Sequence, residues 1–356
     1  MKTYRAAVIG CSRMGAFIDN EGVGHLAQEV TEYLAHQRPR SHAASFFAEE
    51  RIDLIACSDL RTEVMAVFGE RYDVPNERQY TDYREMIEKE QPDIVSVATQ
   101  PEQRAEIVIY AAEHGAKAIY AEKAMAASMD EADAMVEAVE RNGVAFNLGT
   151  NRRWDTGFDK MKEIIDSGEL GALRTLIIYG NGTLFNTASH NFDLILRLNS
   201  DNPVSWVSAH VPNGDKIIDG NIVNADPTGH GTIQFENGVT AYALLSQLGW
   251  EAICDKGSIS NSRGLGWQLR HQNRLVPFPT YTLTSSGANI VKDLIHALDT
   301  GEPTRGGVRV AYASTELIFA FMESHLRNGE RINLPLKESK LRLGRGSPPR
   351  QPRFTP

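Results

Sequence analysis

Apolar residues come in short unbroken runs through the first 150 positions and in looser, partly alternating patterns beyond them. "YRAAVIG" (4–10), "IDLIACSD" (52–59), "DIVSVATQ" (93–100) and "AKAIYAEK" (116–123) have the length and composition of strands buried on both faces. Between them "LRTEVMAVFGERY", "DYREMIEKE" and "PEQRAEIVIYAAEHG" read as helices. Strand and helix in alternation predict a doubly wound parallel sheet. "MDEADAMVEAVERNG" (129–143) adds an amphipathic helix closed by a glycine, and "VAFNLG" adds one more short strand.

Beyond residue 150 the rhythm changes. Helical "GFDKMKEIIDSGELG" leads to a strand "LRTLIIYG", a second helix "NFDLILRLN" and then a strand-rich run in which "ENG" signals a hairpin. The pattern predicts a mixed sheet with helices on one face. Two helices follow, "SGANIVKDLIHALDTG" and "RVAYASTELIFAFMESHLRNG", each stopped by glycine.

Composition narrows the class without choosing a chemistry. The 356 residues suit two domains, and no run approaches the roughly 20 apolar residues of a membrane helix. With no signal-peptide pattern at the N-terminus, a cytoplasmic protein with no membrane partner is expected. Three scattered cysteines, Cys11, Cys57 and Cys254, match neither a disulfide framework nor a metal-ligand spacing, so small buried thiols and no metal are expected. A net charge of −9 argues against nucleic acid as a partner. The last twenty residues, 337–356, hold six Lys or Arg, one acid and four prolines, which predicts an extended or disordered basic tail.

The loop "GCSRMG" (10–15) follows the first strand directly. Gly10 and Gly15 fill the outer places of a dinucleotide-binding turn and Ser12 the middle one, with Arg13 and Met14 inside the loop. An ordinary strand-to-helix turn is the plainer reading. Asp59, ending the second strand, is placed to accept hydrogen bonds from ribose hydroxyls, which favours NAD over NADP. Arg61 points the other way, because it suits a 2′-phosphate or the adenine face. Gly15 and Asp59 stand 44 positions apart where about 20 are expected, so an insertion lies within "FIDNEGVGHLAQEVTEYLAHQRPRSH". It is either a surface excursion or a flap beside the site. Thr99 and Gln100, with Pro101, follow a strand at the sheet edge where such folds bind ligands, or simply begin the next helix.

"AEKA" ends the 116–123 strand at the same edge with Glu122 and Lys123 adjacent. The ammonium can hold a hydroxyl, stabilise an oxyanion or move a proton, and Glu122 can pair with it or position a cofactor. A structural ion pair is the alternative. "NRRW" (151–154) and "TASHNFD" (187–193) complete the set. His190 suits a general base, with Asp193 three residues later on one helical face. Equally, Ser189 can cap that helix and Asp193 can balance its dipole. Trp154, Trp250 and Trp267 are each suited either to stack on a sugar ring or to fill core.

In this order, "AEKA", "GTNRRW" and "SHNFD" resemble the glucose-fructose oxidoreductase and inositol dehydrogenase family, Gfo/Idh/MocA, over nearly the whole chain. The resemblance implies an α/β protein with an N-terminal Rossmann doubly wound parallel sheet (1–125) and a C-terminal α+β domain with a large open mixed sheet (126–336), the final helix packing back on the first. It implies bound NAD or NADP, a sugar, polyol or cyclitol substrate, and a homodimer or homotetramer formed through the C-terminal sheet. Lys123 falls on the catalytic lysine and His190 on the catalytic histidine. Arg153, Trp154, Asn186 and Asp193 fall on substrate positions, and Glu122 and Asn151 join the cofactor set. Three departures stand out: Ala124 replaces the usual proline, Arg104 a familiar histidine, and Asn186 a common aspartate. The activity implied is hydride transfer between a secondary alcohol and nicotinamide. An NAD-retaining glycosidase or lyase using transient oxidation is the alternative, and a non-catalytic dinucleotide sensor a further one.

Overall fold

Runs of Val, Ile and Ala without polar interruption have no solvent-facing side, so they become interior strands. The protein, represented by a computed structural model, is described at residues 2–21, 35, 37–212, 214–223, 226–262 and 265–344. The chain divides into two compact units.

The first unit holds the residues up to Trp154 together with Leu283–Ala311. Its strands are β1 (Tyr4–Ile9), β2 (Ile52–Ser58), β3 (Gln79–Tyr80), β4 (Ile94–Val97), β5 (Ala118–Ala121) and β6 (Ala145–Leu148), in the order β3-β2-β1-β4-β5-β6. Every neighbouring pair is parallel. This is the doubly wound order whose switch point lies between β1 and β4. The helices between strands include α1 (His42–Phe47), α2 (Thr62–Tyr72), α3 (Tyr83–Glu90), α4 (Pro101–Glu113) and α5 (Met129–Arg141). Only β3, two residues long, escapes the hydrophobic pattern.

Residue 125 is not where this sheet ends, because β6 pairs with β5 through Ala121 and Leu148. The helix α8 (Ser286–Thr300) also belongs here, placing Ile290, Val291 and Leu294 in one core with Tyr4, Val8, Phe46 and Trp154. Asn147 fixes it, donating from Nδ2 to the Ile290 carbonyl (3.3 Å) and to Asp293 (3.0 Å). The insertion after Gly15 lies mostly outside the described residues, but its ends are joined: Arg40 and Ser41 donate backbone N–H groups to the Asp19 carboxylate at 3.1 Å. Its last residues enter α1, where His42, Ala43 and Phe46 are fully buried. That part is core and not an excursion.

The second unit holds Asp155–Thr282 and residues 312–344. Its main sheet has nine strands: β7 (Leu173–Gly180), β8 (Val204–His210), β11 (His230–Phe235), β12 (Thr240–Ala243), β13 (Leu245–Cys254), β14 (Gly257–Ser262), β15 (Gly266–His271), β16 (Arg274–Val276) and β17 (Ile332–Asn333). Only β7 and β12 run parallel, so the sheet is mixed. The "ENG" hairpin is present, with Gly238 at φ +88° between β11 and β12. Helices α6 (Thr156–Asp166) and α7 (Ser189–Leu198) belong to this unit.

The tail is ordered further than its composition predicts. Strand β18 (Arg342–Leu343) pairs with β10 (Ile222–Val223), itself paired with β9 (Ile218–Asp219), and Leu341 and Leu343 are buried. Two leucines among the basic residues supply the apolar area; 345–356 lie outside the described residues.

Candidate active site

The glycine loop is built as a dinucleotide turn demands. Gly10 has φ +88°, and a Cβ there would meet the Ala98 carbonyl oxygen at 2.9 Å. A Cβ on Gly15 would stand 1.8 Å from the Gly10 carbonyl oxygen. Both positions therefore exclude any side chain. Ser12, nearly buried, precedes a single wide helical turn, Arg13–Phe17. Met14 is half-buried, and Arg13 is engaged in a bidentate pair with Glu21 at 2.5 and 2.8 Å.

Asp59 lies at the end of β2 and reaches back to this loop. Its Oδ2 accepts the Cys11 N–H at 2.8 Å and its Oδ1 the Arg61 N–H at 3.0 Å. The Arg61 guanidinium donates to the Ser12 hydroxyl, with Nε 3.6 Å from Asp59 Oδ1. The Arg61 charge is thus set beside a carboxylate. Past β4, Gln100 is exposed and Thr99 half-buried, with the Thr99 hydroxyl oxygen buried and lacking a hydrogen-bond partner among the described residues. A hydroxyl without a partner beside a loop that bars side chains fits a bound dinucleotide, since burial leaves such a group unsatisfied until a ligand supplies the bond.

Glu122 and Lys123 follow β5. Glu122 is buried: its Oε2 accepts the Lys123 N–H at 3.2 Å, and Oε1 lies 3.2 Å from His42 Nε2. The other His42 nitrogen lies 2.8 Å from Ser96 Oγ in β4, and the ring stacks on Tyr120 at 3.6 Å. Gly149, after β6, leaves the space Glu122 needs, since a Cβ there would meet Oε1 at 2.9 Å. Burial alone would raise the Glu122 carboxyl, but the His42 hydrogen bond and the charges of Lys123 and Arg104 outweigh it and hold the group below its ordinary value.

Arg104, in α4, is also buried. It donates Nη1 to the Ala124 carbonyl and Nη2 to the Thr99 carbonyl. Burial pulls its pKa down to about 10, with Glu122 opposing the fall, so it stays charged at neutral pH. The Lys123–Ala124 peptide is cis. Lys123 itself is half-buried.

Two expected substrate residues turn inward. Trp154 is fully buried in the first unit's core, beneath the Arg305 guanidinium at 4.9 Å, so its ring cannot stack on a sugar. Arg153, also buried, donates Nη1 to the Arg305 carbonyl at 3.1 Å and thereby holds the 283–311 segment. In the same turn Asn151 is exposed.

In the second unit, α7 begins at Ser189, directly after a helical turn Leu184–Ala188. Ser189 does not cap it; its hydroxyl donates to the Asn186 carbonyl at 3.1 Å. Asp226 takes the capping role for the preceding turn, accepting the N–H groups of Phe185 (2.8 Å) and Asn186 (3.0 Å). Asn186 is exposed, His190 half-buried in the first turn of α7, and Asp193 buried one turn on. Asn191 fixes the helix start, donating to the Gly180 and Asn181 carbonyls and accepting from Trp250 Nε1 at 2.9 Å. Trp250 is therefore core. Trp267 stacks on Phe278 at 4.7 Å and donates to the Tyr281 hydroxyl at 2.8 Å.

His42 and Asp226 had no motif to announce them. The available signal for His42 was Ser96, a polar residue inside an otherwise apolar strand, which required a buried partner. Among the described residues there is no metal-binding group, no helix long and apolar enough to cross a membrane, and all three cysteines are buried and free.

Residues 4–150 match the model of the Gfo/Idh/MocA family, described as an oxidoreductase family with an NAD-binding Rossmann fold. Myo-inositol 2-dehydrogenase of Thermotoga maritima is 31% identical over 137 residues, 38% of this chain and 40% of that one. A 1-carboxy-3-chloro-3,4-dihydroxycyclohexa-1,5-diene dehydrogenase of Comamonas testosteroni is 27% identical over 225 residues, 57% of this chain and 53% of that one. These alignments thus span about half or less of the curated relatives. Over 94% of the chain the fold matches solved structures: aldose-aldose oxidoreductase from Caulobacter crescentus complexed with glycerol (TM-score 0.75, 17% identity, all of that chain) and the WlbA dehydrogenase from Bordetella pertussis in complex with NADH and UDP-GlcNAcA (0.71, 18%, 100% of that chain).

Proposed function

We propose, since residues 4–150 match the model of the Gfo/Idh/MocA oxidoreductases, that this protein moves hydride between a bound nicotinamide dinucleotide and a secondary alcohol of a sugar, polyol or cyclitol. The observation that carries the reading is one sheet edge: a glycine loop that excludes side chains, the Asp59 carboxylate, the unsatisfied Thr99 hydroxyl and Lys123 all follow neighbouring parallel strands. The dinucleotide, when bound, accepts or supplies the hydride. Gly10, Ser12 and Gly15 would hold its pyrophosphate, and Thr99 and Gln100 would line its groove. Lys123 orients and polarises the reacting oxygen, and the exchange of a proton is assigned to His190 by the resemblance of "SHNFD" to the family's histidine segment. Asn186 hydrogen-bonds the substrate. NAD is the coenzyme we infer over NADP. The support is Asp59, which repels a 2′-phosphate, and Arg61, whose charge is already set against Asp59 and the Ser12 hydroxyl.

We infer further a homo-oligomer through the open sheet, supported by the exposed Tyr242, Leu244, Leu245 and Leu248 on its strands and turns, and a cytoplasmic location, consistent with the free thiols.

The test is a thermal-shift comparison of NAD and NADP followed by absorbance at the nicotinamide band with a panel containing myo-inositol and aldoses. NAD should raise the melting temperature more than NADP. Lys123→Met should lower kcat by at least about a hundredfold. Undiminished turnover in that variant overturns the role of Lys123, and release of a leaving group without net reduced coenzyme assigns the site to transient oxidation instead.

A further inference from the structure

Two buried groups that no glycine loop or strand-end motif accounts for bear on the backbone around Lys123, His42 through the Glu122 carboxylate and Arg104 directly at the Ala124 carbonyl. We propose that His42 and Arg104 are positioning residues: His42 fixes the carboxylate that holds the Lys123 N–H, and Arg104 fixes the carbonyl of the next residue, so that the lysine is presented from a rigid frame. The inference rests on the role given to Lys123 above and adds two residues to it.

The geometry is a continuous chain. Ser96 Oγ stands 2.8 Å from His42 Nδ1, His42 Nε2 stands 3.2 Å from Glu122 Oε1, and Glu122 Oε2 accepts the Lys123 N–H at 3.2 Å. All the groups behind Lys123 are buried, and the imidazole is clamped flat on Tyr120 with an interplanar angle of 9°. One arrangement satisfies every group: Ser96 donates to Nδ1, and Nε2–H donates to Glu122. From the other side one guanidinium spans the Ala124 and Thr99 carbonyls, tying the turn after β5 to the loop after β4. A planar fork reaches two carbonyls at once where an ammonium cannot.

Stability alone is a weak reason for such a set. Buried charged groups replaced together by apolar residues of similar volume often leave a protein no less stable. What they do fix is orientation, and here both peptide groups flanking the Lys123 and Ala124 residues are held by charge-assisted bonds, the stronger kind. His42 enters from α1, at the end of the segment that separates the glycine loop from β2. That segment therefore contributes to the frame behind the reacting lysine.

Two amide replacements separate this role from general packing. A glutamine places its Nε2 where the imidazole Nε2 stands and still reaches Glu122; an asparagine reaches only towards Ser96. Amide hydrogen exchange of Lys123 is measured in His42→Gln, His42→Asn and Arg104→Lys, alongside kcat and KM on the substrate found by the panel, with Lys123→Met as control. We expect His42→Asn and Arg104→Lys to speed exchange of the Lys123 N–H at least about tenfold and to lower kcat by a similar factor with KM for the dinucleotide within about twofold, whereas His42→Gln keeps near wild-type values. Should His42→Asn fail to fold, Ser96→Ala, which frees the ring without removing it, is expected to show the same changes at about threefold. Equal behaviour of the Gln and Asn variants, or unchanged exchange in all of them, overturns the proposal. If Lys123→Met abolishes turnover while His42→Asn and Arg104→Lys keep wild-type kcat, the positioning role falls and the role of Lys123 stands. Turnover surviving in Lys123→Met brings down the underlying reading instead, and the exchange data then decide only whether the frame exists.

Discussion

Gly15 and Gly10 approach so closely that a Cβ on the former would lie 1.8 Å from the carbonyl oxygen of the latter. No rotamer choice relieves this contact, because both atoms are fixed by the backbone. Gly15→Ala is therefore expected to force the loop off β1, destabilising the first unit by about 3 kcal/mol and abolishing the thermal shift with NAD. Urea denaturation and a dinucleotide melt check both; an alanine variant with a normal NAD shift would remove this loop from the coenzyme site.

The two buried tryptophans differ in what their indole N–H does. Trp250 donates to Asn191, which in turn holds the start of α7, whereas Trp154 Nε1 has no hydrogen-bond partner among the described residues. Trp250→Phe should thus lose, beyond the volume change common to both, about 1 to 3 kcal/mol from the stranded Asn191 oxygen. Denaturation of the two Phe variants measures the difference; equal losses would show that the Asn191 bond contributes nothing.

Glu122 sets an acid limit on stability. Its carboxyl is held below the ordinary value of 4.5 in the folded protein, so the unfolded chain takes up the proton first as pH falls. The stabilisation is complete above about pH 4.5 and drains away as pH drops through the lower folded value. Glu122→Gln, which removes the larger of the two acidic charges acting on Arg104, should be less stable than wild type at pH 7, and the gap should shrink as pH falls below the ordinary value of 4.5. Melting temperatures of the two proteins from pH 7 downward through 4.5 test it, and a gap independent of pH would assign the effect to packing.

Much of the first unit was legible because strands buried on both faces leave little choice of residue. "YRAAVIG", "IDLIACSD", "DIVSVATQ" and "AKAIYAEK" contain β1, β2, β4 and β5, and glycine stops such as Gly301, at φ +75°, end helices where the sequence places them. The glycine loop was legible for the same reason, since only glycine tolerates a backbone oxygen at such range. A boundary at residue 125 was not, because pairing of β6 with β5 and the return of α8 are contacts across long sequence separations. The end of the basic tail's ordered part was also hidden, since Leu341 and Leu343 find their apolar cover only in the folded second unit.

The sequence by itself determined the doubly wound sheet, the loop at Gly10 to Gly15 and the placement of Lys123 at a strand end, because periodicity and steric exclusion act over neighbouring residues. Tertiary structure alone decided that Trp154 and Arg153 serve the interior, that Asp226 and not Ser189 caps the turn before His190, and that His42 and Arg104 stand behind Lys123. Those partners come from elements 20 to 152 residues away, and which buried polar group meets which is settled only when the folded chain has brought them side by side.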